Sequence, residues 1–173
     1  SMKSLISIFG LLACCLPAAA EGPHRVKIVN AAAVMPSKVV ENATILIENG
    51  RITAVGTDLE EAFEGAEVID AARRYAAPGF IDVHTHGGAG VDVNAAGYDD
   101  LCRLSAFFAS QGVTGFLASI LTDTVEGTER AIDSVCAFMD APARGAKCLG
   151  IHLEGPFLAS EFKGAMPEHL PAA

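Results

Sequence analysis

From Pro78 onward, short apolar runs alternate with longer amphipathic stretches, and this order constrains the fold more than any other feature of the sequence. The run at residues 80–84 is typical of a strand buried on both faces of a parallel sheet. The runs at residues 114–121 and 147–153 predict a second and a third strand. Helical spacing of apolar residues between the three runs predicts two amphipathic helices. Because strands and helices alternate, we expect right-handed crossovers between parallel strands, which makes the fold class α/β.

The two helices have predictable faces and ends. Gly112 is placed to close the first helix in a left-handed conformation, and the second helix is expected to begin near an Asp123 cap. The expected buried face of the first helix consists of Leu101, Leu104, Phe107 and Phe108. That of the second consists of Ile132, Val135, Cys136 and Met139.

Residues 24–77 have a different texture, with short segments in which apolar and polar residues alternate. Asn49-Gly50 supplies the two positive φ angles of a type I′ turn, so we expect a hairpin around it. This part of the chain is predicted to be a small β unit without an acid-base or metal cluster of its own. Its expected strands are residues 26–29, 44–48, 51–55 and 66–70.

Residues 1–20 match a secretory signal peptide, because Lys3 precedes an apolar run and small residues precede Glu21. The run is shorter than the roughly 20 residues that a spanning helix needs, so no stable membrane span is expected. Two alternatives stay open. One is a lipoprotein signal that ends at Cys14, and the other is a start placed too far upstream or a cloning remnant at Ser1-Met2.

Composition excludes some function classes. A formal net charge of -9 and scattered basic residues disfavour a nucleic-acid partner. The five cysteines show no CxxC spacing, so neither a zinc ribbon nor a redox motif is indicated. Cys102, Cys136 and Cys148 lie in apolar stretches and are expected to be buried free thiols.

His84-Thr85-His86 stands at the end of the first apolar strand. Side chains alternate along a strand, so the two imidazoles are expected to point to the same side, close enough to share one metal ion. In barrels of alternating strands and helices, functional groups collect at the carboxyl ends of strands, where this pair stands. Asp82 has the same parity one step deeper, and we expect a structural role for it.

Glu154 closes the third strand, where its carboxylate can bind a divalent metal together with the imidazole pair. His152 has the same parity but lies about 6–7 Å further in, which favours a supporting role over ligation. His24 and His169 stand in polar surroundings and are interpreted as surface residues.

Two segments carry a resemblance to a known family. PGFIDVHTHG (residues 78–87) resembles the opening strand of the amidohydrolase superfamily. GIHLEGPF (residues 150–157), followed by Lys163-Gly164-Ala165, is similar to the N-acetylglucosamine-6-phosphate deacetylase family in particular. The similarity extends over roughly residues 26–170, and His-Leu-Glu-Gly-Pro is its more discriminating motif.

The resemblance implies a metal-dependent (β/α)8 TIM-type barrel and a small β-sandwich. Residues 24–77 would then be part of the sandwich, and residues 78–173 the N-terminal part of the barrel with its first three strands. It also implies that His84, His86 and Glu154 bind one or two divalent metal ions, for which zinc is the leading candidate. Ala165 would touch a phosphorylated amino sugar, whose N-acetyl group the intact enzyme hydrolyses. The resemblance further implies that the intact enzyme is a homo-oligomer and that it works in the cytoplasm. The cytoplasmic location conflicts with the export that residues 1–20 suggest.

Two departures from the family keep alternatives open. The resemblance implies two more histidine ligands and a catalytic aspartate on later strands, but only His169 and no aspartate follow Glu154. No catalytic residue is therefore assigned, the barrel is expected to be incomplete, and the chain by itself is expected to be inactive. The alternatives are another amidohydrolase, D-aminoacylase-like or dihydroorotase-like, and a non-catalytic fragment.

Overall fold

A computed structural model describes residues 5–6, 23–59, 61–141 and 145–166 of the protein. The chain divides into two compact units, Ser1–Gly79 and Phe80–Ala173. Each unit is described by itself below.

The first unit is a six-stranded sheet in which β2 and β3 form the longest pair. Its strands are β1 (Leu5–Ile6), β2 (Arg25–Val34), β3 (Val39–Glu48), β4 (Arg51–Gly56), β5 (Glu67–Asp70) and β6 (Tyr75–Ala76). The order is β1-β6-β2-β3-β4, and β5 also pairs with β2. The antiparallel pairs are β2–β3 and β3–β4, whereas β5 and β6 run parallel to β2.

The predicted hairpin is confirmed, since Asn49 and Gly50 have φ angles of 51° and 77° between β3 and β4. The strand predicted at residues 26–29 is part of β2, which is longer than expected because Asn30, with φ 55°, allows a register shift between Ile28 and Ala31. Beyond this shift the apolar residues no longer alternate, which hid the rest of β2 from a period-two pattern. The core of the unit consists of Val26, Ile28, Ala31, Ile45, Ile47, Ala71 and Ala76.

The second unit is mixed α/β, as predicted, with three parallel strands in the order β11-β10-β7. Its strands are β7 (Phe80–Thr85), β8 (Gly87–Gly88), β9 (Val91–Asp92), β10 (Val113–Leu121) and β11 (Lys147–Glu154). Its helices are α1 (Tyr98–Ser110), α2 (Val125–Asp140) and a 3-10 helix (Ser160–Phe162). The small β8–β9 hairpin was not predicted.

The prediction that the first parallel strand is buried on both faces is wrong for β7, whereas β10 is much more deeply buried. Phe116, Ala118 and Ile120 of β10 are at most 1% exposed, whereas Phe80 and Val83 of β7 are 61% and 63% exposed. The reason is the packing of the helices. Both α1 and α2 pack on β10, whereas among the described residues β7 packs mainly against β10 and makes no comparable contact with either helix.

The buried faces of the helices differ in part from the predicted ones. Phe107, Cys136 and Met139 are exposed. In α2 the buried stripe runs through Ala131, Val135 and Phe138, and Cys136 lies about 100° further around the helix than Val135. The buried side of α1 consists of Leu101, Leu104, Ser105 and Phe108.

The predicted helix ends are confirmed in one case and shifted in the other. Gly112 follows Gln111, the C-cap of α1, and has a φ of 83°, as expected for a left-handed closing residue. The cap of α2 is Thr124 instead of Asp123, because the Thr124 hydroxyl accepts a hydrogen bond from the Gly127 N–H at 3.0 Å. Asp123 accepts instead from the Thr124 N–H.

The three cysteines of this unit are free thiols but do not share one environment. Cys148 is buried and Cys102 is half-buried, whereas Cys136 is exposed, which corrects the expectation of three buried thiols. Burial raises the pKa of the Cys148 thiol above its ordinary value, because desolvation disfavours the thiolate.

The predicted signal peptide, residues 1–20, lies outside the described residues except for Leu5–Ile6, which pair with Tyr75–Ala76. His169 also lies outside them. In the part of the chain that the structure describes, no helix has the length and apolar character to cross a membrane.

Candidate metal centre

The site forms where the parallel strands of the second unit end. Thr85, the last residue of β7, lies between His84 and His86 and pairs with Ala118 of β10. Glu154 of β11 pairs with Leu121 on the other side of β10. Because all three strands run in the same direction, their carboxyl ends meet at one edge, where the side chains of His84, His86 and Glu154 converge.

The three side chains lie within contact distance of one another. His84 Nε2 is 2.8 Å from Glu154 Oε2 and 3.1 Å from His86 Nε2. The third side of the triangle, from His86 Nε2 to Glu154 Oε2, is 3.0 Å. The structure thus brings together the three residues that were proposed as ligands from the sequence.

The donor set fits a divalent metal such as zinc. Two imidazole nitrogens and a carboxylate oxygen are ordinary zinc ligands, and catalytic sites use three protein donors while keeping a fourth position open. Tetrahedral donors about 2.0–2.2 Å from zinc lie roughly 3.4 Å from one another, a few tenths of an ångström more than the spacing here. The side chains are 50%, 37% and 32% exposed for His84, His86 and Glu154, so they have room to separate by that amount.

His86 is held in the tautomer that a metal requires. Its Nδ1 lies 3.1 Å from the Ser119 carbonyl oxygen. A carbonyl can only accept, so Nδ1 carries the proton and, in the neutral ring, Nε2 keeps its lone pair for a ligand.

The end of β11 is held against the end of β10. The Thr122 hydroxyl donates to the Glu154 carbonyl oxygen at 3.2 Å, and Thr122 is only 3% exposed. Gly155 follows with a φ of 116°, and a Cβ there would meet Thr122 Oγ1 well inside van der Waals contact. Both the backbone conformation and the close approach require glycine at this position.

We expect Gly155→Ala to lower the affinity for zinc about tenfold or more and to destabilise the protein by about 1–3 kcal/mol. The added methyl group must push apart the ends of β10 and β11, which moves Glu154. Zinc titration and urea unfolding measure the two effects.

The matched control is Gly164→Ala. Gly164 also has a positive φ, 59°, but a Cβ there meets no atom within 4 Å. The Gly164→Ala variant should therefore lose about 1 kcal/mol of stability from backbone strain alone and keep the zinc affinity of wild type. Equal zinc affinities for the two variants would contradict the close approach at Gly155 as a determinant of the site.

The remaining predicted residues occupy other positions. Asp82 accepts a hydrogen bond from the His84 N–H at 3.1 Å and does not belong to the cluster of candidate metal ligands. Nor is His152, whose Nδ1 is 3.0 Å from Ser119 Oγ. Ala165 lies in an exposed turn. His24 lies on the surface of the other unit, 3.9 Å from Glu67.

Sequence reasoning missed two polar residues that support the site, Ser119 on β10 and Thr122 directly after it. It also missed Asn94, whose side-chain amide donates to the Leu121 carbonyl at 3.0 Å and accepts from the Leu121 N–H at 2.8 Å. The available signal was hydroxyl side chains at and just beyond the end of an otherwise apolar strand. A buried hydroxyl needs a partner, and the partners here are groups of the neighbouring strands.

No family model matches the chain. Among curated proteins, the N-acetylglucosamine-6-phosphate deacetylase of Bacillus subtilis is 33% identical over 144 residues, which are 82% of this chain and 36% of that protein. Among solved structures, the N-acetylglucosamine-6-phosphate deacetylase of Pasteurella multocida matches with a TM-score of 0.74 and 25% identity, over 84% of this chain and 38% of that one.

A dihydropyrimidinase from Brevibacillus agri matches less well, with a TM-score of 0.51 and 29% identity over 75% of this chain and 27% of that one. The chain thus spans a little over a third of the length of the Bacillus subtilis and Pasteurella multocida deacetylases. Over most of its own length it resembles N-acetylglucosamine-6-phosphate deacetylases in both sequence and structure.

Proposed function

We propose that the protein acts in the metal-dependent hydrolysis of the N-acetyl group of N-acetylglucosamine 6-phosphate, giving glucosamine 6-phosphate and acetate. The observation that carries this proposal is the convergence of His84, His86 and Glu154 at the carboxyl ends of two parallel strands. It occurs in a chain that resembles enzymes named for that reaction.

In this proposal, His84, His86 and Glu154 hold one or two divalent metal ions, for which zinc is the leading candidate. When bound, the metal supplies Lewis-acid activation of the amide carbonyl and of the attacking water. The protein's own contribution is to fix the donors: Ser119 sets the His86 tautomer, and Thr122 anchors the strand end that carries Glu154. Half of the His84 side chain is exposed, which leaves the substrate an open approach.

The wider setting is also a proposal. The three parallel strands would be the first three of a (β/α)8 barrel, with residues 78–173 as its N-terminal part and residues 24–77 as part of a β-sandwich. The parallel order and the location of the cluster at the carboxyl strand ends support this assignment. Ala165 is proposed to contact the sugar. We also propose action in the cytoplasm, which a phosphorylated sugar as substrate favours, and a homo-oligomer as the state of the intact enzyme. Export through residues 1–20 stays a prediction.

A chimera tests the proposal most directly. Residues 23–166 replace the matching segment of the Bacillus subtilis deacetylase, and acetate release from N-acetylglucosamine 6-phosphate is measured with zinc. We expect turnover in the chimera and its loss, by at least about 100-fold, when His86→Ala is added, because one of the protein donors is then missing. The 173-residue chain alone is expected to bind zinc without releasing acetate.

Substrate controls separate this function from its rivals. Turnover of a dihydropyrimidine in place of the sugar would favour another amidohydrolase activity, which the likeness to the Brevibacillus agri dihydropyrimidinase supports. A folded chimera that binds zinc but hydrolyses none of these substrates would favour a non-catalytic chain. Turnover unaffected by His86→Ala would contradict the assigned metal site.

A further inference from the structure

Ser119 occupies the middle of the sheet between the two strands that carry the candidate ligands. It lies on β10, where it pairs with His152 of β11, and its neighbour Ala118 pairs with Thr85 of β7. The residue is completely buried. A hydroxyl in such a position must be paired within the protein, and its pairing shows what it holds in place.

The Ser119 side chain makes two contacts, one to each neighbouring strand. Its Oγ accepts a hydrogen bond from the Thr85 N–H at 3.0 Å and lies 3.0 Å from His152 Nδ1. Thr85 stands between His84 and His86, so the first contact fixes the backbone from which both imidazoles project. After accepting from Thr85 the hydroxyl still has its proton and a second lone pair, so it pairs with His152 Nδ1 in either tautomer of that ring.

The Ser119 backbone and the His152 ring extend this support to the imidazoles themselves. The Ser119 carbonyl accepts from His86 Nδ1 at 3.1 Å. The His152 ring, held by Ser119 Oγ, packs edge-on against the His84 ring with centroids 4.8 Å apart. One residue of the central strand is thereby connected to both imidazoles, to His86 directly and to His84 through His152.

We propose that Ser119 is a positioning residue that, together with His152, fixes the orientation of His84 and His86 for metal binding. The proposal deepens the proposed function and rests on its metal site. Ser119 is not a proposed metal ligand. Its side chain acts through the Thr85 backbone and the His152 ring, and its backbone carbonyl, which a side-chain substitution leaves in place, holds the His86 ring. Loss of such supporting partners typically lowers metal affinity 10- to 100-fold.

The test compares Ser119→Ala with Ser105→Ala in the full 173-residue chain. Both residues are buried hydroxyls, and Ser105 Oγ donates to the Ala146 carbonyl at 2.8 Å, before β11 begins and at the opposite end of that strand from Glu154. Zinc affinity is measured by competition titration, the ligand environment by the absorption spectrum of bound cobalt(II), and folding by urea unfolding of the metal-free protein. We expect Ser119→Ala to bind zinc 10- to 100-fold more weakly with an altered cobalt spectrum, and Ser105→Ala to bind within about twofold of wild type.

Rescue separates positioning from bulk stability. Ser119→Thr keeps the hydroxyl and should retain most of the zinc affinity. If Ser119→Ala does not fold, His152→Phe takes its place, since it keeps a ring against His84 but loses the contact to Ser119 Oγ, and it should also weaken zinc binding and change the cobalt spectrum.

Two results overturn the proposal. The first is a folded Ser119→Ala variant, or a folded His152→Phe variant where that one replaces it, with the zinc affinity and cobalt spectrum of wild type. The second is an equal loss of zinc affinity in Ser119→Ala and Ser105→Ala. His84→Ala serves as the reference for the metal site itself. If His84→Ala binds zinc like wild type, the proposed metal site fails, whereas a loss there with none in Ser119→Ala leaves the site intact and removes only the role of Ser119.

Discussion

Replacing His86 by alanine is expected to lower the affinity of the protein for zinc more than 100-fold. A supporting partner of a metal ligand is typically worth 10- to 100-fold in affinity, and His86 is proposed to supply a donor atom directly. Its Nε2 lies within 3.1 Å of both other donors, so its removal leaves only His84 and Glu154 to hold the ion. Two donors are fewer than zinc sites in proteins use.

His24→Ala is the matched control for this experiment. His24 is also a partly exposed histidine, but it lies in the other unit and contacts Glu67 at 3.9 Å. Zinc titration of the two variants, with urea unfolding of each, separates loss of a ligand from loss of the fold. Equal zinc affinities for His86→Ala and His24→Ala would show that His86 is not a ligand.

Replacing Phe116 by alanine is expected to destabilise the second unit by about 3–5 kcal/mol. Phe116 is completely buried on the central strand β10, with its ring 5.0 Å from that of Phe108 on α1. Alanine would leave a cavity between sheet and helix, because the surrounding strand and helix can close only part of the space. A loss of this size is a large fraction of the total stability of a typical domain, about 5–15 kcal/mol.

Phe162→Ala supplies the control, because Phe162 is 84% exposed and should change the free energy of unfolding by less than about 0.5 kcal/mol. Urea unfolding followed by circular dichroism measures both variants. If the free energies of unfolding of Phe116→Ala and Phe162→Ala differ by less than about 1 kcal/mol, then β10 is not the buried centre of this unit.

The alternation of strands and helices after Pro78 was enough to predict the α/β class and the three parallel strands. Local patterns also predicted the Asn49-Gly50 hairpin and the glycine that closes α1. These features depend on backbone preferences and on side-chain periods of 2 and 3.6 residues, which are properties of neighbouring residues in the chain.

The candidate site was predictable for a related reason. His84 and His86 share a parity on one strand, and Glu154 ends another strand that runs in the same direction, so parallel pairing alone brings them to one edge. What the sequence could not supply was the support around them. The contacts of Ser119 to Thr85, His86 and His152 join residues 33 or 34 positions apart, and no local pattern specifies them.

By itself the sequence determined the order and direction of the three parallel strands with their two helices, and the parity of the ligand candidates, because each follows from short-range spacing. Only the tertiary structure decided that β10 lies between the other two strands and that β7 is exposed, because burial depends on which elements pack on each face. It also decided that Cys136 and Met139 face solvent while Ala131 and Phe138 are buried. Small differences of angle around α2 select one of two overlapping apolar stripes, and the sheet beneath the helix makes that selection.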